Sequence, residues 1–341
     1  MRLKYRIILF NTFYLLCVIV FIIMIRKAIR QSFSKYNIKS STETLQLKTP
    51  LLTLRKCSKR YRLLIMVTSN PENFERRLNI RSTWGSTWQN RMDLPGWKTV
   101  FQLGKLDNAE VRMKTRIEAT KYKDMIFGDF PDTFYTLSIK VIMGFEWATK
   151  FCNFDFLLKT DDDVFVNIPK VFGFLSVPDI PKSKLYAGNG HFNDFPIRSR
   201  RKKSGMKYVV SIQEYPYRKY PSFCSGGAIL LSRDVAAGMV DIHNNSNYFK
   251  LDDVYIGMLA LRLGVNPYHE DMFNLDSTDC ECNQANIVKH IGHYAQCMKE
   301  LYNCEWYQSK KTFTDISVRE GDGFQRESEE EVIDPFENMP G

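Results

Sequence analysis

Three consecutive carboxylates, Asp161-Asp162-Asp163, follow Phe156-Leu157-Leu158-Lys159-Thr160 and precede Val164-Phe165-Val166-Asn167. Adjacent carboxylates repel one another, and burying an isolated ion costs several kcal/mol. A solvated acidic turn would relieve the repulsion, but apolar segments on both sides argue against one. A hard divalent cation relieves it by taking oxygen ligands, and it keeps coordination positions open for phosphate oxygens. A second acidic pair, Asp252-Asp253, stands just before Val254-Tyr255-Ile256-Gly257-Met258-Leu259-Ala260, a helical run. Either acid can serve as a general base if it reaches a substrate hydroxyl within hydrogen-bond distance. Capping a helix accounts for one acid there but not for two adjacent ones.

These groups need a frame, and the pattern from Tyr61 to about Phe313 supplies one. RLLIMVTSN, TVFQLGK, DMIFGDF and FDFLLKT read as short buried strands. Between them VRMKTRIEATKY and TLSIKVIMGFEWATKFC place apolar residues at helical spacing. Alternating strands and helices predict a single α/β domain with a mostly parallel central sheet covered on both faces. The acids then fall at the carboxyl end of a strand, where open α/β sheets bind ligands. The chain holds no G-x-G-x-x-G and no Walker loop, which disfavours dinucleotide and P-loop enzymes.

The net charge of +10 is uneven. Residues 1–62 hold 14 of the 48 Lys and Arg and one acid, Glu43, whereas residues 63–341 carry 34 basic and 37 acidic side chains. A folded surface without excess positive charge excludes nucleic acid as the expected partner. Residues 7–25 are apolar except for Asn11 and Thr12. As a helix they would span about 28 Å, enough for a thin bilayer core, and no small-x-small cleavage site follows. The expected organisation is a cytoplasmic tail at 1–6, a transmembrane signal anchor at 7–25 and a stem at 26–60. A lumenal catalytic domain at 61–313 and an acidic tail at 314–341 follow. Basic residues flank the span almost equally, so orientation rests on the Asn244-Asn245-Ser246 sequon and on seven cysteines outside the span. An odd number leaves one thiol free or paired between chains, which leaves a homo-oligomer open. Cys280-Glu281-Cys282 lacks the spacing of a zinc finger.

KTDDDVFVN resembles the D-x-D segment of the Golgi β1,3-glycosyltransferases (glycosyltransferase family 31), which include β1,3-galactosyl- and β1,3-N-acetylglucosaminyltransferases. Other segments follow that family's order. Arg77 through Gly85 resembles its R-x-x-I-R-x-T-W motif, and Phe101-Gln102-Leu103-Gly104 its F-x-L-G strand. Glu118 through Cys152, with Asp132, Lys140 and Trp147, resembles its long central motif. Tyr215-Pro216, Tyr220-Pro221, Cys224-Ser225-Gly226-Gly227 and Leu251-Asp252-Asp253-Val254-Tyr255-Ile256-Gly257 resemble its later segments.

The resemblance implies a GT-A-type nucleotide-sugar domain in a type II Golgi membrane protein. It would move a hexose or N-acetylhexosamine, galactose favoured, from a UDP-sugar to a hydroxyl of a glycoprotein or glycolipid glycan in β1,3 linkage, with inversion. It implies Mn²⁺ as cofactor, with Asp163 and then Asp161 as ligands and Asp162 reaching the nucleotide ribose. A downstream His ligand is also implied, and His290 stands in the best place, with His293 second. Asp253 is the expected base, with Asp252 the alternative, and Arg81 and Lys140 are expected to neutralise phosphate or the acids. The competing reading is a catalytically inactive, membrane-tethered carbohydrate-binding protein on the same scaffold. A two-metal phosphohydrolase would need more scattered carboxylate and His ligands than the sequence offers.

Overall fold

The computed structural model describes residues 18–24, 57, 59–86, 96–199, 203–243, 248–276, 280–282, 285–292 and 295–306. The anticipated span at 7–25 is covered only at 18–24, which are helical, and the sequon, His293 and the 314–341 tail lie outside the described residues. Among the described residues no helix is long and apolar enough to cross a membrane.

The strands are β1 (Arg60–Thr68), β2 (Trp97–Lys105), β3 (Met125–Pro131), β4 (Asn153–Asp161), β5 (Val164–Val166), β6 (Tyr186–His191), β7 (Phe223–Ser232), β8 (Tyr268–His269), β9 (Phe273–Asn274) and β10 (Val288–His290). The helices are α1 (Phe74–Ser82), α2 (Ala109–Tyr122), α3 (Leu137–Phe151), α4 (Ile168–Ser176), α5 (Arg233–His243), α6 (Asp252–Leu263) and α7 (Ala295–Leu301). Seven strands form one sheet in the order β3-β2-β1-β4-β7-β6-β8. β3, β2, β1 and β4 are mutually parallel, β7 is antiparallel to both β4 and β6, and β8 runs parallel to β6. The mostly parallel α/β sheet anticipated from the strand–helix alternation is therefore present.

Strand alternation divides the core. On β1, Leu64 and Met66 pack with α3, α5 and α6 on one face, while Leu63, Ile65 and Val67 pack with α1, α4 and α7 on the other. A small second sheet, β5-β10-β9, lies against the latter core. It pairs His290 with Val164 in antiparallel register.

Helix α2 departs from its periodicity. Its apolar residues Met113 and Ile117 face solvent, and Thr115 and Glu118 are buried instead. The reason is electrostatic: Glu118 is the counter-ion of two inward-pointing arginines, Arg77 and Arg81.

Three disulfides account for six of the cysteines. Cys57–Cys152 ties the chain before β1 to the end of α3, and Cys280–Cys297 and Cys282–Cys304 staple the approach to β10 onto α7 and the turn after it. Cys280 and Cys282 are thus structural, and Cys224, the odd thiol of the described region, is buried in β7.

Candidate active site

β4 delivers the three acids to three different environments. Thr68 of β1 is in register with Asp161, so the loop that follows β1 lies beside the acids. From that loop and α1, Ser69 Oγ and Asn73 Nδ2 donate to Asp162 Oδ2 at 2.7 and 2.8 Å, and Arg76 donates to Oδ1 at 2.9 Å. Asp162 is buried and both its oxygens are engaged by protein, so here it anchors the loop rather than presenting itself to a ribose. Asp163 turns the other way. Its Oδ2 lies 3.1 Å from Arg76 and 3.7 Å from His290 Nε2. Burial opposes its charge, but His290 and Arg76 outweigh that and hold its carboxyl below the usual range. Asp163 in turn raises His290, more than burial lowers it.

A carboxylate oxygen and an imidazole nitrogen facing each other form a donor set suited to Mn²⁺. Asp161 is directed to Lys159 Nζ, 2.9 Å away, and not onto that pair. Among the described residues no three His, Cys, Asp or Glu side chains converge into a ready metal cage. The Asp163–His290 pair therefore fits a cation only with most of its ligands supplied from outside the protein, which is the situation of an ion carried by a diphosphate.

The second acidic pair is brought in by α6. This helix lies so close to β7 that a Cβ on Gly257 would fall 2.6 Å from Phe223 Cβ and 2.9 Å from Ser222 O. At its first turn a Cβ on Gly226 would meet Asp253 Cβ at 3.4 Å and both Asp252 oxygens at 3.5 Å. Glycine at these two positions lets the acids come down onto the sheet. Lys159 is fully buried beneath them and lies 3.1 Å from Asp252 Oδ2; its Nζ also donates to Gly226 O. Burial disfavours the ammonium, yet Asp161 and Asp252 together hold its pKa above the ordinary value. Asp253 Oδ1 accepts the Val254 N–H at 2.7 Å. Burial first, and the neighbouring Asp252 second, push Asp253 up to about 7. Asp161 is likewise pushed up to about 7, by burial and by the nearby Asp252 and Asp163, against the pull of Lys159.

Asp161, Asp252 and Asp253 line one cavity of about 350 Å³. Gly226 and Gly227 also border it, and Phe134, Tyr208, Tyr220 and Phe223 supply aromatic wall. Carboxylates beside aromatic faces suit a hydroxylated ring, whose C–H face stacks while its hydroxyls donate.

A galactosyltransferase family profile matches residues 75–271, more than half of the chain. The chain belongs to the galactosyltransferase family. Over 220 residues it is 36% identical to a Homo sapiens lactosylceramide 1,3-N-acetyl-beta-D-glucosaminyltransferase, covering 62% of this chain and 57% of that one. Over 209 residues it is 34% identical to the Mus musculus beta-1,3-galactosyltransferase 5, covering 60% and 65%. The match thus spans less than two thirds of either relative's length. Among solved structures, a galactosyltransferase LgtC in complex with donor and acceptor sugar analogs overlaps distantly, at TM-score 0.34 and 13% identity, over 75% of this chain and 95% of its own.

Two cations that the family motifs single out do other work in this galactosyltransferase-family chain. Arg81 is spent on Asp124, through Nε at 2.7 Å and NH2 at 2.9 Å, and on Glu118 at 2.6 Å, with its guanidinium over the Phe101 and Tyr122 rings. It does not join the acid cluster. Lys140 is buried and donates to Asp132 Oδ1 at 2.6 Å and Ser69 O at 3.0 Å. It pins the loop that holds Asp162 and does not reach the cavity. The cations that do meet the acids are Arg76 and Lys159, which sequence reasoning passed over. Lys159 left a signal, because a lone lysine inside a buried strand requires a counter-ion. Arg76 left none that separates it from its neighbour Arg77. In the basic run beginning at Arg198, that first residue donates to the carbonyls of Val210, Ser211, Tyr215 and Tyr217 and so shapes a loop.

Proposed function

We propose that this chain is an inverting, metal-dependent β1,3-hexosyltransferase. It would move galactose, or an N-acetylhexosamine, from a UDP-sugar to a hydroxyl of a glycan acceptor within a GT-A-type domain. The supporting observation is the convergence of Asp161 from β4 and Asp252-Asp253 from α6 on one aromatic-walled cavity, beside the Asp163–His290 pair. Inversion needs a single displacement: the acceptor oxygen attacks the anomeric carbon from the face opposite UDP, and the bond to the UDP oxygen breaks. The hydroxyl proton passes to Asp253, whose Oδ1 is fixed by the Val254 N–H while Oδ2 has no hydrogen bond among the described residues. A carboxylate with a pKa near 7 is well matched to that task. Lys159 lies against both Asp161 and Asp252 and offsets part of their charge. Asp163 and His290 would hold Mn²⁺, which when bound supplies Lewis-acid stabilisation of the departing diphosphate. Ser69, Asn73 and Arg76 hold the β4 tip through Asp162, and Arg76 also donates to Asp163.

The reading includes a single-pass type II Golgi anchor at 7–25, with the folded region in the lumen. Three disulfides support an oxidising compartment. Glycosidase should shift the protein's mobility, and Asn244→Gln should remove the shift; digestion of residues 61–313 by protease outside sealed microsomes would overturn the topology. The activity itself is tested with a donor panel of UDP-galactose, UDP-N-acetylglucosamine and UDP-N-acetylgalactosamine against neutral glycan acceptors, with the linkage determined on the product. Sugar binding without transfer from any donor would favour an inactive carbohydrate-binding protein.

A further inference from the structure

One edge of the cavity is built from residues that the transfer chemistry leaves unused. His191, the last residue of β6, pairs with Phe223 of β7, and the two rings stack 4.9 Å apart with 9° between their planes. His191 Nε2 lies 2.7 Å from Ser225 Oγ, and Nδ1 lies 3.0 Å from Asp194 Oδ2. Asp194 is held from its backbone as well. Asn193 before it adopts a left-handed conformation (φ 67°), and Lys219 Nζ binds Asn193 Oδ1 at 3.0 Å. The Asp194 carbonyl accepts the Tyr220 N–H at 2.9 Å. The carboxylate is thus fixed by a side-chain relay and by its loop. Asp194 Oδ1 has no hydrogen bond among the described residues, and the side chain is 44% exposed on the cavity that also holds Tyr220, Phe223 and Asp253.

A fixed carboxylate beside an aromatic face has a defined use. The ring covers the C–H face of a sugar, and the carboxylate accepts a hydroxyl proton in a charge-assisted hydrogen bond. A sugar carrying its own carboxylate or sulfate would meet Asp194, Asp252 and Asp253 together and be rejected by like charge. We propose that Asp194, positioned by His191 and Ser225, reads one hydroxyl of a neutral acceptor sugar. It thereby turns that ring against the cavity's aromatic wall, where Phe195 and Tyr208 are exposed, so that a different hydroxyl faces Asp253. This deepens the transferase reading and rests on it. The same three side chains are ordered like an acyl-transfer triad, but Ser225 lies within strand β7 and not on the sharp exposed turn that presents a nucleophilic serine.

The test uses the full chain in detergent, with Asp194→Asn, His191→Phe, His191→Gln and Ser225→Ala. The readouts are acceptor kcat and KM, donor hydrolysis without acceptor, UDP–Mn²⁺ affinity by calorimetry, and binding of neutral methyl β-galactoside and methyl β-N-acetylglucosaminide. Asp194→Asn should lower kcat/KM for acceptor by about 10–100-fold, mainly through KM, and weaken methyl glycoside binding alike. UDP affinity and donor hydrolysis should not change. His191→Phe keeps the stack on Phe223 but cannot hold Asp194, so it should copy the loss, whereas His191→Gln retains an amide donor and should recover part of it. Ser225→Ala should have the smallest effect.

Wild-type acceptor kinetics in His191→Phe and Asp194→Asn would overturn the inference, as would an equal loss of UDP affinity. Covalent labelling of Ser225 by a fluorophosphonate would overturn it in favour of a nucleophile. The two readings fail separately. If the protein binds neutral glycosides through Asp194 but transfers nothing, the hydroxyl-reading role stands and the transferase reading falls. If transfer proceeds and the Asp194 variant keeps its acceptor KM, the reverse holds.

Discussion

Two charged clusters meet at the end of β1 and differ in their balance. Around α1, Arg77 grips Glu118 at 2.8 and 2.7 Å, and Arg81 grips Glu118 and Asp124. Two cations face two anions, and Arg77 spends its other donors on Ser69 Oγ and the carbonyls of Asn70 and Pro71. Across Ser69, whose hydroxyl is shared with Asp162, lies the second cluster. There Lys159 faces Asp161, Asp252 and Asp253, and Arg76 faces Asp162 and Asp163. Among the described residues five carboxylates are set against two cations and the His290 imidazole. The first cluster is neutral and saturated, so it holds structure. The second keeps a surplus of acid, and a buried surplus persists only where something else supplies the missing proton or cation.

That contrast can be broken most sharply at Asp253. Asp253→Asn should lower turnover by about 10²–10⁴-fold, the range for a lost general base, while UDP–Mn²⁺ affinity measured by calorimetry survives. Near wild-type turnover would move the base to Asp252. In the closed cluster the damage should fall on stability instead. Arg77→Met leaves Glu118 to Arg81 alone and takes the donor from the Asn70 and Pro71 carbonyls, so it should cost about 1–3 kcal/mol in urea unfolding, with acceptor and donor KM changed little in the protein that remains folded. If kcat fell without a change in unfolding midpoint, the division between structural and functional charge would be wrong.

Asp163→Ala should weaken metal-dependent UDP binding by about 10–100-fold or more and leave metal-free UDP binding unchanged; the outer partners of metal ligands alone are worth that range. The smallest effect is on pH. Asp253 must be ionised to accept a proton, and it is pushed up to about 7, so kcat/KM should fall about tenfold per pH unit below that value. The stability sign is opposite. A carboxyl raised in the folded state holds its proton more tightly there than in the unfolded chain. Its contribution therefore turns unfavourable as pH rises from about 4, its ordinary value, towards 7. Asp253→Asn should remove the acid limb and Asp253's share of this loss, leaving the share of Asp161, which is also pushed up to about 7; a pH series of rates and melting temperatures would show both.

The strands that carry the site were legible because each is a short apolar run with a polar end, and local pattern is enough to define such a strand. The β4 run and the α6 run were readable for that reason, and both acidic groups fall at their termini. Helix α2 shows where pattern fails. Met113 and Ile117 lie at helical spacing but face solvent, because ion pairing of Glu118 with Arg77 and Arg81 sets the rotation of the helix. Arg81 departs from its expected place for a related reason: its motif position gives its neighbourhood, but which carboxylates it meets depends on where α2 and β3 lie.

By itself, then, the sequence determined which side chains are present at each strand and helix end, because those choices follow from local hydrophobic period and from residue type. Only the tertiary structure decided which of them meet. His290 reaches Asp163 because β10 pairs antiparallel with β5, and Asp253 reaches the cavity because Gly226 and Gly257 let α6 settle on β7. His191 reaches Asp194 and Ser225 through the β6–β7 pairing and the Asn193 turn. Each of these contacts depends on register and close approach between distant segments, which side-chain period along one segment does not encode.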